Sequence, residues 1–350
     1  MAHPYRIREI AEQSGLSQAT VDRVLNERPG VRASTVAEVH RAIAELDRQA
    51  TQVRIAGRTL LLDLVMHAPR RFSSAVRASM EAELPDLRPA ALRARFHLRE
   101  EWSVRELAST LDRVGGLGSA GVLLKAPDHP LVADAVGRLA ARGVPVVTLV
   151  TDVPLSRRLA HVGIDDRAAG ATAAYLLSQW GGSGSVLVTL SSRFRGEGDR
   201  LAGFREALGE LAPGRCVREV SGTDGLDASL LREVSAALAA DPGIGSVYSI
   251  GGGNSATLRA FSEAGRRCTA FVAHDLDDDN TSLLRRRRIS AVLHHDLRQD
   301  VARACRLLMQ ANGVLPGVPA TVPSAVQVIT PFNEPPATFG ALPVRARTAR

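Results

Sequence analysis

Five polar side chains, Asp165, Arg200, Asn254, Asp275 and His295, stand beyond short apolar runs, where the carboxyl end of a strand would present them. Arg200 follows the run Ser185–Leu190 and its loop, Ser191–Asp199. Carboxylates, an amide, an imidazole and a guanidinium in such places can accept from and donate to ligand hydroxyls. Phe72 adds a flat apolar face able to stack on a ring, with His67 nearby. Strand ends in an open α/β sheet are where ligands bind, since helix N-termini also point there. Two of these residues have an equally ordinary structural use. Asp165 can cap the helix beginning near Arg167, and Asn254 can cap the amphipathic run behind it. His294 and His295 fall on opposite faces of a strand, so no metal site is expected. Gly251-Gly252-Gly253 lacks the Lys-Ser/Thr of a nucleotide-triphosphate loop and the spacing of a dinucleotide fingerprint, so it reads as a tight turn. No nucleophile–base constellation appears, and neither an enzyme nor a cofactor is expected.

A second set of side chains could read base edges. The helix expected over Ser17–Asn26 has an outward face of Gln18, Ala19, Asp22 and Arg23. Arg23 can bind guanine bidentately, Gln18 can read adenine or bridge through water, and Ala19 offers a methyl contact. Asp22 can accept from cytosine or simply repel phosphate. Ser17, Thr20 and Asn26 suit phosphate contacts, which fix register without reading sequence.

The elements that must position these groups fall into two kinds. Residues 5–50 show only helical periodicity: Ile7, Ile10 and Ala11, then Leu16, Val21, Val24 and Leu25, then Val36, Val39, Ile43 and Leu46. Ala11, Gly15 and Val21 stand where a helix-turn-helix needs a small crossing residue, a turn residue tolerant of positive φ and an apolar pin. A small helical bundle that never touches DNA would share the periodicity. From Thr59 onward, about ten short apolar runs alternate with amphipathic stretches, the pattern of parallel strands covered by helices on both faces.

Composition is that of a soluble globular chain, with 45% hydrophobic and 23% charged residues. The net charge of +7 comes from arginine, since Lys125 is the only lysine. Residues 1–58 hold nine Arg against seven acidic residues, so a DNA reading rests on pattern rather than charge. Cys216, Cys268 and Cys305 show no zinc-site spacing and are expected to be buried, reduced thiols. The N-terminus lacks the apolar run of a signal peptide, and Thr59–Met66 is too short to span a bilayer, so a cytoplasmic protein with no membrane partner is expected.

The run Ile10-Ala11, Gly15-Leu16-Ser17, Thr20-Val21, Arg23-Val24-Leu25-Asn26 and Val31, with Ala44-Glu45-Leu46 ending the third helix, resembles the head of the lactose/galactose repressor family of bacterial regulators. The body resembles that family's periplasmic sugar-binding-protein-like core. Ala126–Pro130, Val162–Asp165, Asp199–Phe204 and Gly251–Asn254 lie at matching points along the chain. The resemblance implies an all-α helix-turn-helix head on an α/β body of two Rossmann-like lobes with parallel sheets. It also implies three crossovers, a ligand in the cleft and a homodimer meeting a pseudo-palindromic double-stranded operator. Two departures stand out. The segment Asp47–Arg58 is shorter than the family's hinge and lacks its Pro, leaving Ile55 either as a minor-groove wedge or as a cover for the body. Where several relatives carry an Asp after the strand before the first crossover, this chain has Val150.

The organisation expected is therefore a DNA-binding head over 1–46, a linker over 47–58, a ligand-binding and dimerisation body over 59–340 and a disordered tail over 341–350. Lobe 1 is expected over 59–164 and 296–323, and lobe 2 over 165–293 and 326–340. The function expected is a transcriptional regulator, a repressor by resemblance. Its effector is expected to be a sugar, polyol or sugar derivative, with the sign of the ligand effect open. The rival readings are a sugar-binding transport protein and an enzyme-like sensor.

Overall fold

Apolar residues at helical spacing bring the first three helices, Ile7–Ser14 (α1), Gln18–Leu25 (α2) and Ala33–Ala56 (α3), around one small core in which Ile10, Val21, Val39 and Leu46 are buried. The computed structural model describes residues 5–56, 59–191, 194–221 and 227–335. Gly15 ends α1 at φ 73°, a left-handed conformation natural to glycine, and Ser17 caps α2 by accepting from the Thr20 amide at 3.1 Å. Sequence spacing ends the third helix at Leu46, but α3 continues to Ala56. Asp47–Ala56 contains neither Gly nor Pro, so nothing in it breaks the backbone ladder. Ile55 lies on this extension, with its side chain outside the described residues; the tail 341–350 lies outside them entirely.

Lobe 1 is built from Thr59–His67 (β1), Arg70–Glu83 (α4), Ala91–Arg99 (β2), Val104–Gly115 (α5), Gly121–Lys125 (β3), Pro130–Ala141 (α6), Val146–Leu149 (β4) and Ala160–Val162 (β5). Its sheet is parallel in the order β2-β1-β3-β4-β5. Lobe 2 follows with Asp166–Trp180 (α7), Ser185–Thr189 (β6), Arg195–Leu211 (α8), Val217–Val220 (β7), Asp227–Ala240 (α9), Ile244–Ser249 (β8), Asn254–Glu263 (α10), Ala270–His274 (β9), Asp278–Arg285 (α11) and Ala291–His294 (β10). Leu297–Ala311 (α12) then returns to lobe 1, where Val301, Cys305 and Leu308 enter the core. Gln327–Ile329 (β11) closes the lobe 2 sheet, antiparallel to β10, in the order β11-β10-β9-β8-β6-β7. Cys305 is buried as expected, but Cys216, beside the edge strand β7, is exposed.

Strand β2 escapes the apolar-run criterion because its second face is basic. Leu92, Ala94 and Phe96 enter the core, while Arg95 is buried by an ion pair with Asp63 on β1, its Nε and Nη2 donating at 2.8 and 2.7 Å. Burial alone would raise the Asp63 carboxyl, but hydrogen bonds from His97 and Arg95 overcome it and hold the group below the usual carboxylate range.

Three crossovers join the lobes, near Gly163–Asp165, His295–Asp296 and 322–326. They are laced together. The Ser324 amide donates to the Gly163 carbonyl at 2.7 Å, its hydroxyl donates to Asp300, and His295 Nδ1 bonds the other oxygen of Asp300.

The head rests on lobe 1 through a buried arginine of α4. Arg77 Nη2 donates to the Gln13 carbonyl and Nη1 to the Ser14 carbonyl, both at 2.9 Å. The same guanidinium reaches Glu81 and Glu38 at 3.0 and 3.1 Å and lies over the Phe96 ring. A cation is thus set against the last carbonyls of α1, where the helix dipole is negative. Arg93–Glu9 and Arg41–Glu81 add outer ion pairs between head and body.

Candidate DNA-reading face and ligand cleft

On α2, Gln18, Ala19 and Arg23 are exposed, turned away from the contacts that dock the head. Arg23 makes one long hydrogen bond, to the Pro29 carbonyl at 3.4 Å, leaving most of its fork for an external acceptor. Ser17 and Thr20 are engaged with each other, hydroxyl to hydroxyl at 2.8 Å, at the start of the helix. Asp22 accepts from Asn26 Nδ2 at 2.9 Å and pairs with Arg28 at 3.4 Å. These internal partners partly neutralise the Asp22 carboxylate.

Between the lobes, a cavity of about 510 Å³ lies beyond the carboxyl ends of β1, β3, β4, β6, β8 and β9. Of the residues expected there, Phe72, Arg200 and Asp275 line the wall. Arg200 sits on the first turns of α8, which the short glycine contacts of α7 and α8 hold in place. A Cβ on Gly170 would meet the Arg200 carbonyl oxygen at 1.9 Å, and one on Gly203 would meet that of Arg167 at 2.1 Å. Arg200 Nε donates to Asp166 at 2.7 Å. Burial works against its charge, but the carboxylates of Asp166 and Asp275 hold its pKa above the ordinary arginine value.

Asp165, Asn254 and His295 are not brought to the wall. Asp165 caps α7 by accepting from the Ala168 amide at 3.0 Å, and its neighbour Asp166 reaches Arg200 instead. Asn254 stands behind the wall and donates to Asn280, which lines the cavity and is itself tied to the His274 carbonyl at 2.9 Å. His295 is buried beside the hinge, with Nε2 3.8 Å from the Asp275 carboxylate. Asn254 thus orients a group that faces the cavity, while His295 Nε2 has no hydrogen-bond partner among the described residues.

The structure adds wall residues that spacing did not single out, Lys125 ending β3 and Phe194 and Glu197 at the start of α8; His274, expected with Asp275 after its strand, ends β9 and lines the wall too. Glu197 accepts from the Ser191 hydroxyl at 2.8 Å. His274 Nε2 lies 2.8 Å from the Tyr248 hydroxyl, and its Nδ1 has no partner among the described residues. Burial, reinforced by Arg200, keeps His274 well below the ordinary histidine value and so neutral near pH 7. One signal for Lys125 was present in the sequence, its standing as the only lysine. Phe194 and Glu197 carry no comparable mark, because loop length before α8 decides their placement.

Two non-glycine residues at the wall adopt left-handed backbone, Val150 at φ 68° and Asp275 at φ 64°. Each ends a strand and donates its amide to the next strand, Val150 to the Val162 carbonyl at 2.8 Å and Asp275 to the Leu293 carbonyl at 3.0 Å. Such conformations cost free energy and cluster at functional sites.

The arrangement offers donors, acceptors and aromatic faces converging on an enclosed space, the chemistry of a small-molecule binding cleft carried below a helix-turn-helix head. The chain belongs to the family described as periplasmic binding protein domain, whose model matches residues 68–313. Its head matches the model of the bacterial regulatory proteins, lacI family, over residues 6–48, so a DNA-binding domain of that description precedes the binding-protein body. No curated protein matches the sequence. Among solved structures, the arabinose binding protein AraP from Geobacillus stearothermophilus superposes with a TM-score of 0.68 at 18% identity, covering 79% of this chain and 97% of that one. A Bacteroides fragilis protein described as a LacI transcriptional regulator gives 0.69 at 15% identity, over 79% and 98%. A carbohydrate transporter from Acidothermus cellulolyticus 11B in complex with myo-inositol gives 0.66 at 16% identity, over 79% and 95%. At these identities the likeness is one of fold. Among the described residues, no helix is long and apolar enough to cross a membrane.

Proposed function

We propose that the chain is a repressor that binds a pseudo-palindromic operator as a homodimer and answers to a sugar, polyol or sugar derivative held between its lobes. The observation that carries this reading is one of layout. The outer face of α2 is exposed, while the opposite side of the head rests on α4, whose first turn carries Phe72 in the ligand cleft. Arg23 and Gln18 are the base-reading candidates, supported by the exposure of both. A dimer would present two such helices one helical turn of DNA apart. The cleft is read as one that binds its ligand without turning it over, a reading supported by family models of binding and regulatory proteins. Neutral polyhydroxylated compounds suit it because the wall offers carboxylate acceptors together with the cationic donors Lys125 and Arg200. The ligand-bound proteins similar in fold include one holding myo-inositol, a polyol. A ligand that changes lobe closure would change operator affinity by roughly 5–150-fold, corresponding to a coupling of about 1–3 kcal/mol.

The test is selection of the purified full chain on random duplex DNA at low salt, with and without pools of sugars and polyols. An enriched two-fold symmetric site, gained or lost with a pool, supports the reading. Retention of DNA without any preferred sequence under all conditions removes it.

A further inference from the structure

Lys125 is the only lysine in a chain whose net positive charge is otherwise supplied by arginine, and it lies at the floor of the ligand cleft. It ends β3, the central strand of lobe 1, and is 6% exposed. Its ammonium has three donors, yet among the described residues it makes one long hydrogen bond, to the His67 carbonyl at 3.4 Å, and no ion pair. The remaining contacts are ring faces. Nζ is 3.4 Å from the centroid of Phe194, which comes from lobe 2, and 5.8 Å from that of Phe72. A buried charge with unused donors is costly to a fold and is relieved by a methionine of similar shape. An arginine would bring a longer, forked group in place of a compact donor. Desolvation lowers the Lys125 pKa to about 8, so the group remains charged near neutrality.

We propose that Lys125 is the ligand-reading cation of the cleft, donating to oxygen acceptors of a neutral polyhydroxylated ring compound held beside Phe72 and Phe194. The proposal rests on the reading of this cleft as the effector site. Neutrality follows from the charges around the ammonium. The cleft wall sets the five carboxylates of Glu100, Glu101, Glu197, Asp275 and Asp277 against the two cations Lys125 and Arg200, a net charge of minus three before any ligand enters. An added carboxylate or phosphate would deepen that excess. A ligand ammonium would meet Lys125 and Arg200 directly. Hydroxyl groups satisfy both sides, accepting from Lys125 and Arg200 and donating to Glu197 and Asp275.

The experiment uses the full chain, wild type and Lys125→Met, screened by thermal shift and then calorimetry. The probes are D-arabinose, D-glucose and myo-inositol, set against D-glucuronate and glucose 6-phosphate. Reductive methylation of the single lysine serves as a second readout. A neutral compound should bind the wild type and slow methylation of Lys125. Lys125→Met should weaken that binding about tenfold or more, the size expected for a lost hydrogen bond to a charged donor. Equal affinity in Lys125→Met overturns the role of the lysine alone, and tighter binding of the anionic compounds overturns the neutral ligand. A wild-type chain shifted by none of the five, with Lys125 methylation unaffected, overturns the effector reading and this proposal together.

Discussion

Arg77, on the helix that leaves the ligand cleft, donates to the carbonyl of Gln13, at the end of the first helix of the DNA-reading head, at 2.9 Å. The head is thus fastened by a side chain five residues along α4 from Phe72, which lines the cleft wall. Arg77→Gln should release the head from lobe 1 at a cost of about 3 kcal/mol, because Glu81 and Glu38 lose their buried partner. Hydrogen exchange checks this. Amides of α1 should lose protection while those of β8 and β9 in lobe 2 keep theirs. Unchanged protection in α1 would mean that the outer ion pairs suffice.

Lys125 gives a pH dependence with a definite sign. Burial lowers its pKa from 10.5 to about 8. Below pH 8 both the folded and unfolded chains carry the proton, and the folded state bears the full cost of the buried ammonium. Between about pH 8 and 10.5 the unfolded chain binds more protons, so wild-type stability rises with pH relative to Lys125→Met. At pH 7 the variant should be the more stable by roughly 3 kcal/mol, following the size of the shift. Urea unfolding at pH 7 and pH 10 should show the gap closing. A gap independent of pH would show that the ammonium is solvated.

Two glycines of α8 should answer oppositely to the same substitution. Gly203→Ala drives a methyl into the Arg167 carbonyl and should cost about 3 kcal/mol, the upper range of overpacking. It should also weaken ligand binding, since α8 carries Arg200 and Glu197. Gly209 has open space around its Cβ position, and Gly209→Ala should stabilise by about 0.5–1 kcal/mol through helix propensity alone. Similar midpoints for both variants would contradict the close approach of α7 and α8.

Arg23→Ala should weaken binding to a selected operator by about 1–3 kcal/mol and relax preference at a single base position. Its effect on binding to unrelated duplex should be small. Titrations against the operator and against a scrambled duplex at matched salt separate the two. A uniform loss on both would place Arg23 on phosphate.

The architecture was legible wherever periodicity reports burial directly. The short apolar runs became the strands of both sheets, and Gly15 became the turn of the head between Ala11 on α1 and Val21 on α2. Strand β2 was not legible, because a buried Arg95 reads as solvent-facing until Asp63 is seen opposite it. The end of the third helix was misplaced for a related reason. The residues after Leu46 lack an apolar face, yet backbone hydrogen bonding continues without one. In the cleft, the end of β9 and the first turns of α4 and α8 gave Asp275, Phe72 and Arg200. Asp165 is one residue from the group that meets Arg200, a difference set by where α7 begins. Val150 and Asp275 share a local backbone geometry in opposite lobes, which no residue type could announce, since valine rarely adopts positive φ.

The lacing of the three crossovers bears on how a ligand signal is shaped. Ser324 bonds both Gly163 and Asp300, and Asp300 bonds His295, so a shift of one crossover pulls on hydrogen bonds to the other two. Movement of the lobes about one shared pivot would keep all of these bonds, whereas independent bending of the crossovers would break them. On the proposed function, occupants of different size would then be read out along the same coordinate, as an angle of closure. The regulator would then report occupancy as one gesture of differing extent, and chemically different effectors would compete in amplitude rather than in kind.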